Sequence, residues 1–313
     1  MTRLLARWLA NSVLLLFVVS GLTFVLISLA PGDAARSILG QRGTEQDYLD
    51  LRAKLGLDDP FFVRYGRWLG DVFHGDLGQS MFNNVPVTRL IGERIGVTLC
   101  LVLGALAVIA VVGVLLGVAS ARFKGKLGRF LDVVALLGVS VPNFWIGLVL
   151  VTVFSVGLRL FPATGYTWPS QSLAGWLRCL VLPVVTLAIA GIATVAKQTR
   201  DAMSTQLSQE YVQAMRAQGL SERSIVYRHV LKNAAVPLTT VLGLMLVGLF
   251  SGTVLVESIF ALPGLGGLVV SATTTHDIPV VEGVALVFAL MVVTVNLVVD
   301  LLYRAVNPKV RTP

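Results

Sequence analysis

The sequence predicts an all-α integral membrane protein that crosses a bilayer six times. Of its 313 residues 55% are hydrophobic and 13% charged, whereas soluble domains carry about 25% charged residues. Six uncharged runs, 8–32, 95–121, 133–158, 179–196, 233–256 and 283–299, approach or exceed the roughly 20 apolar residues that span a hydrocarbon core. Lys and Arg alternate between the segments joining these runs. Residues 122–130 hold Arg122, Lys124, Lys126 and Arg129, residues 197–232 hold six basic residues, and the tail holds Arg304, Lys309 and Arg311. By contrast, 257–282 hold no Lys or Arg, and 159–178 hold only Arg159 and Arg178. Cytoplasmic loops retain positive charge, so the alternation places both termini inside. With a mean hydropathy of +0.81, the net charge of +8 reads as a membrane signature rather than a nucleic-acid one.

The first run follows Arg3 and Arg7, and Ser28-Leu29-Ala30 resembles a cleavage site. The run is longer than the core of about 7–15 residues in a signal peptide, so it reads as a retained anchor. An outer segment of about 33–94 comes next, and its part 44–94 is too polar to span. Asp59 and Pro60 read as N-cap and first-turn proline of a helix. That helix sets Phe61, Phe62, Tyr65, Trp68, Leu69, Val72 and Phe73 on one face, to lie on the lipid surface or pack on the bundle. Gly75-Asp76-Leu77-Gly78 reads as a turn. In the later runs, Pro142 and Pro183 should kink spans three and four. Gly113 with Gly117, Gly248 with Gly252, and the cluster Ala190, Gly191, Ala193, Ala196 suit close helix contact, mainly within the chain. The last run ends at Asp300, which forms an i, i+4 pair with Arg304. Cys100 and Cys179 read as small buried hydrophobes, and the scattered His74, His229 and His276 give no metal signal.

The inner segment of about 200–235 is basic and not apolar enough to insert. Ser208 suits a helix cap and Glu210 the first turn. The helix runs to Gln218, and Gly219 supplies the left-handed stop. Ser221 caps a second helix bearing Ile225, Val226, His229 and Val230, with Asn233 and Pro237 opening span five. Two short helices around a glycine could serve as a rigid connector or transmit force to a cytoplasmic partner. The long flanking spans exclude a DNA-binding helix-turn-helix.

Here the chain resembles the permeases of ATP-binding cassette importers. Their cytoplasmic loop carries Glu-Ala-Ala, three residues, then Gly; this chain has Gln213-Ala214-Met215 before Gly219. It matches the peptide and nickel branch, and within it the first, B-type, permease subunit. The branch motifs are Glu210-Tyr211-Val212 and Arg228-His229-Val230-Leu231-Lys232-Asn233-Ala234. Others in family order are Pro31-Gly32-Asp33, Gly75-Asp76-Leu77-Gly78-Gln79-Ser80, Val141-Pro142-Asn143-Phe144-Trp145, Pro263-Gly264-Leu265-Gly266 and Asn296-Leu297-Val298-Val299-Asp300. His276-Asp277-Ile278-Pro279 departs from the usual Arg-Asp-Tyr-Pro, which bears on any partner contact of that arginine.

The resemblance implies one permease domain over 1–313 with the type I importer fold, in a bacterial or archaeal plasma (inner) membrane. It implies a second homologous permease, two cytoplasmic ATP-binding subunits that hold ATP and Mg, and an extracytoplasmic solute-binding protein. This chain has no GxxxxGK[ST] phosphate loop, and no cofactor, catalytic residue or metal ligand is expected in it. The coupling contact would be Glu210, Tyr211, Ala214, Ala217, Gly219, Leu220 and Ser221, braced by Arg228 and His229. The alternative readings are that Gly219 only ends a helix and His229 only packs beneath the membrane. Glu257, Pro263, Gly264 and Gly266 are candidates for an outer gate, or simply cap and turn. The cargo would be dipeptides, oligopeptides, glutathione, nickel or a metal chelate. The spans hold no nucleophile–base pair or HExxH for an intramembrane enzyme. They also lack the internal repeat and buried charges of a self-sufficient secondary transporter.

Overall fold

The computed structural model describes residues 2–30, 32–40, 44–122, 133 and 141–306, with side chains except those of 2–8, 236 and 300–306. Lys124, Lys126, Arg129, Lys309, Arg311, Pro31 and the Asp300–Arg304 side chains thus lie outside the described residues. Helices appear in the order Thr2–Leu29 (α1), Ala34–Leu39 (α2), Glu45–Lys54 (α3), Phe61–Phe73 (α4) and Val87–Arg122 (α5). They continue with Asn143–Gly157 (α6), Leu173–Leu207 (α7), Glu210–Ala217 (α8), residues 222–259 (α9), Leu265–Thr275 (α10) and Ile278–Val306 (α11). Five of the six expected spans, in α1, α5, α7, α9 and α11, are long and apolar enough to cross a membrane. The third is described only from residue 141 onward as the shorter apolar helix α6. Pro142 does not kink that helix but stands just before it, at φ −59° and ψ 136°. Its missing N–H is harmless there. Pro183 does lie inside α7.

The chain forms two compact units. The first comprises Met1–Thr98 with Pro263–Val293. Its core joins Ile27 of α1, Val87 and Ile91 of α5, Leu265, Leu268 and Ala272 of α10, and Val280, Val281 and Val284 of α11. Asp33, from the Pro-Gly-Asp motif, caps α2 through Ala35 N at 2.8 Å. It also accepts from Tyr48 and from Arg52 at 2.7 Å, so it ties α3 to the end of α1. A reciprocal box between Thr44 and Asp47 opens α3. The hydrogen bonds from Thr44 hold the Asp47 carboxyl below the usual range.

In α4 the aromatic face divides. Phe61 and Tyr65 meet Phe24 edge-on, Tyr65 bonds Ser20 at 2.9 Å, and Trp68 is buried, whereas Phe62 is 84% and Phe73 82% exposed. The helix thus packs on α1 with one stripe and leaves a second bare. Asp59 does not cap it: Pro60 takes the N-cap position without a side-chain bond, and the Asp59 carboxylate instead accepts from Arg67 at 2.9 Å. Local competition from a charged donor outweighs the cap.

The second unit comprises Leu99–Leu262 with Thr294–Pro313. The small residues of α5 pack on α7 within the chain. A Cβ on Gly117 would lie 2.4 Å from Thr199 Cβ and 2.6 Å from the Ala196 carbonyl, so only glycine admits this approach. Gly252 likewise faces Leu187, while Gly248 has open space around it.

Candidate functional site

The inner segment folds from three local decisions. The first is where α7 stops. Its helix runs past the apolar stretch to Leu207, and Ser208 becomes its C-cap, with Oγ donating to the Thr205 carbonyl at 2.8 Å. Ser208 therefore does not cap the next helix. Gln209 takes that place, extended at ψ 150°, and its side chain does not cap the helix.

The second decision is how α8 ends. Gly219 has φ 79°, its N–H donates to the Arg216 carbonyl at 3.0 Å, and that of Leu220 donates to Met215 at 3.2 Å. This is a complete Schellman motif, with its accompanying contact supplied by Met215 and Leu220 on one cluster. Gly219 is exposed, and nothing lies within 4 Å of where its Cβ would be. Glycine is required here by backbone conformation and not by packing.

Third, Ser221 caps α9, with Oγ accepting from Ser224 N at 3.4 Å. The expected second short helix is not separate. Residues 222–224 are α-helical, 225–230 form a π turn, and the helix then runs through Pro237 to Ile259. The polar start and span five are one rod.

These decisions give α8 two faces. Val212 is fully buried, and Tyr211, Met215 and Leu220 pack with it on Val118, Ala121, Met203, Ile225, Val226 and Val230. The Tyr211 hydroxyl donates to Gln206 at 3.0 Å and accepts from Asn233 at 3.3 Å, pinning α8 to the end of α7 and the start of α9. Opposite, Glu210, Gln213, Ala214 and Ala217 stand exposed at i, i+3, i+4 and i+7, continuous with exposed Gly219 and Ser221. Arg216 bonds Glu222 at 2.6 Å and closes the turn from outside. That bond pulls the Glu222 carboxyl below its ordinary range and raises the Arg216 guanidinium.

Arg228 and His229 sit on the π turn, exposed and half-buried. Their neighbours Ile225, Val226 and Val230 are buried. Their apolar side chains repay burial, whereas a charged group must be paired to enter a core.

The outer candidates are also placed. Glu257 is 1% exposed near the end of α9, and its carbonyl accepts from Leu262 N at 2.9 Å. Pro263 is half-buried, and Gly264 and Gly266 are buried. Gly264 is the N-cap of α10, so this motif opens a helix that composition did not reveal. Thr98 Oγ1 accepts from Leu265 N at 2.9 Å and satisfies its first turn. Two acidic residues outside the candidate set, one of them within the His276-Asp277-Ile278-Pro279 motif, are buried as well. Buried Asp277 accepts from the Ser80 hydroxyl and from Met81 N at 3.1 Å. Glu282, 2% exposed, has an oxygen without a hydrogen-bond partner.

Two family models match the chain. Residues 1–102 match the N-terminal membrane component of binding-protein-dependent transport systems, and 113–312 match the binding-protein-dependent transport system inner membrane component. The chain belongs to this family. The permease is 40% identical over 312 residues, 99% of both chains, to a Brucella abortus (strain 2308) protein whose name describes a peptide transport system permease. It is 35% identical to the oligopeptide transport system permease protein AppB of Bacillus subtilis (strain 168), covering 96% of each. It is 36% identical to the glutathione transport system permease protein GsiC of Salmonella paratyphi A, covering 95% of this chain and 94% of that one. Among solved structures, a chain of the inward-facing MetNI methionine ABC transporter aligns with TM-score 0.56 at 17% identity, over 70% of the permease and 97% of that chain. This likeness shows the type I importer permease fold. The permease is a multi-pass inner-membrane subunit of an ABC importer of the peptide family, and the importer reading stands over the secondary-transporter alternative.

Proposed function

We propose that the permease forms half of a path for peptides or a related small solute, and that α8 receives the force that opens and closes it. The single observation carrying this is the division of α8: Val212 is sunk in a core, while Glu210, Gln213, Ala214 and Ala217 stand bare. A connector needs no Schellman stop, no tyrosine pinned on two sides and no exposed small-residue face. A docking element needs all three, because ordering it beforehand removes the entropy cost of ordering it on binding. In this reading a second homologous permease completes the path. Two cytoplasmic ATP-binding subunits hold ATP and Mg and dock on α8, and an extracytoplasmic solute-binding protein delivers cargo. Both termini then lie in the cytoplasm. The peptide cargo follows from the names of the relatives at 35–40% identity over nearly the whole chain, and nickel has no comparable support.

The mechanism follows from continuity. A push on α8 passes through Tyr211 and the Val212 cluster to α9, whose rod reaches Glu257 without a break. ATP-bound and ATP-free partners would favour different tilts of that rod, and the path opens to one side or the other by population shift. Glu257, near the end of that rod, is an outer-gate candidate in this reading, as separately are Pro263, Gly264 and Gly266.

The test is a mild-detergent pull-down of the permease from its native host, with mass spectrometry of accompanying chains and ATP-dependent peptide uptake by the recovered complex. Recovery of a second permease and ATP-binding subunits is expected. A homodimer that transports without ATPases would overturn the reading.

A further inference from the structure

A cavity of about 350 Å³ lies beside Arg216 at the end of α8, against the ends of α5 and α7 and the start of α9. Its floor is apolar, made by Val118, Met203, Leu207 and Val226. Its rim is polar: Arg122, Ser204, Ser208, Arg216 and Glu222. The charges at the rim are unequal. Arg216 is neutralised by Glu222 at 2.6 Å, whereas Arg122 makes no hydrogen bond or ion pair among the described residues, leaving one net positive charge.

The position of the cavity relative to the bilayer is set by the sequence. Val118 belongs to the apolar run that ends at residue 121, and Arg122 follows it directly. Ser204 and Ser208 lie beyond Lys197 and Arg200, the first charges after the fourth run. The cavity therefore lies just past the ends of two apolar runs, with Val118 and Ala121 the last apolar lining residues of one run and Met203, Leu207 and Val226 apolar residues within the charged segment that follows the other. The volume falls at the small end of the range for ligand pockets, about 300–1,000 Å³. It suits a headgroup and the first carbons of a chain rather than a whole lipid.

We propose that this cavity binds the headgroup of an anionic phospholipid from the cytoplasmic leaflet, with its phosphate on Arg122 and Ser204 and its glycerol backbone over Met203 and Val226. Basic pockets between helix ends on the cytoplasmic side offer both the charge and the apolar surface that such a lipid needs. A free phosphate would satisfy Arg122 but leave the floor wet. The bound lipid lies against Arg216 and Glu222, the pair that closes the turn after α8. The proposal rests on the reading that α8 faces the cytoplasm.

The experiment uses the full-length permease with its co-purifying subunits in nanodiscs, and measures lipid retention by native mass spectrometry with phosphatidylglycerol or phosphatidylcholine as probe. Wild type should retain phosphatidylglycerol selectively. Arg122→Gln should weaken retention by about tenfold or more, the scale of losing one charge-assisted contact, and Arg122→Lys should weaken it less. Ser204→Phe, which fills the cavity and leaves the charge intact, should also expel the lipid. Glycerol phosphate should not displace it. Equal retention in wild type, Arg122→Gln and Ser204→Phe would overturn the proposal. So would equal retention of phosphatidylcholine, or displacement by glycerol phosphate, which would mark a free-anion site. A permease that recovers no ATPase yet retains the lipid would sink the coupling reading alone.

Discussion

Gly219→Ala separates the two roles open to this glycine. Its φ is 79° and no atom lies within 4 Å of the added Cβ, so the substitution costs only backbone strain. A left-handed alanine costs about 1–2 kcal/mol, offset by roughly 0.4–1 kcal/mol from the stiffer unfolded chain. The net is about 1 kcal/mol, or roughly a fivefold loss in the population of the capped turn. Gly219→Asn should cost less, because Asn tolerates this region. Gly219→Pro removes the N–H bonded to Arg216 and locks φ near −65°. It also disfavours the helical backbone of Gln218 at φ −79° and ψ 0°, so the Schellman motif is lost. Peptide uptake by reconstituted complexes should fall in the order Gly, Asn, Ala, Pro, with near-complete loss in the proline variant. Hydrogen exchange over 210–221 should rise in the same order while membrane insertion is unchanged. If the proline variant transports at the wild-type rate, α8 does not couple. If alanine abolishes transport without altering exchange, the Cβ itself collides with a partner, and the conformational argument fails.

Thr205→Cys, exposed at the end of α7, should react with an impermeant thiol reagent only from the cytoplasmic side; labelling from outside would reverse the topology. Gly117→Leu drives a side chain into Thr199 and the Ala196 carbonyl. It should cost at least about 1–3 kcal/mol, seen as a lower thermal midpoint, and an unchanged midpoint would refute the α5–α7 approach. Glu282→Lys sets a second cation beside Arg64, whose guanidinium is depressed by its own burial and supported by the Glu282 carboxylate. Placing an uncompensated cation at a position only 2% exposed should cost several kcal/mol, on the order of 3–5, more than Glu282→Gln, which adds no charge; a thermal midpoint that Glu282→Lys leaves unchanged would refute the burial of this side chain. The Arg216–Glu222 bond lowers the folded carboxyl below its unfolded value. Its contribution is thus present above the usual range near about 4.3 and is lost as pH falls through the depressed value. Exchange protection of α8 should fall in that acid window and in high salt, and Glu222→Gln should show no such step.

The spans were legible because one number, the length of an uncharged run, decides them. The stop of α8 was legible because Gly219 has no competing explanation at that spacing. What hydropathy could not see was helix that continues after charge begins. Residues 197–207 carry Lys197, Arg200 and Asp201 yet remain in α7, and this alone moved Ser208 from N-cap to C-cap. The helix α10 was hidden for the opposite reason. Its sequence LGGLVVSATTT is poor in helix formers, and it folds because Leu265, Leu268 and Ala272 are buried and Thr98 satisfies its first turn. Such support comes from residues far away in the chain, so no local pattern announces it. The box at Thr44 and Asp47 was visible and would have placed α3.

The continuity of α9 changes what a docking loop must achieve. If the loop were two short helices hinged to the membrane, most of a partner's push would be absorbed in the hinge. Instead the cap at Ser221 begins the same rod that ends at Ile259, which at 1.5 Å per residue is roughly 55 Å long. A rod of that length turns a small tilt at one end into a displacement of several ångströms at the other. Two features keep it from being uniformly stiff. The π turn at Ile225–Val230 and Pro237 each leave backbone carbonyls without their ordinary i, i+4 donors. Both lie toward the Ser221 end of α9, between α8 and the long apolar stretch of the helix. In the proposed mechanism that compliance would let the angle of α9 be set beside α8, and the length beyond it would carry the tilt along the rod. This arrangement also explains why the buried brace is apolar. Ile225, Val226 and Val230 can slide against Val212 without breaking a directional bond, while Tyr211 and Asn233 keep the register.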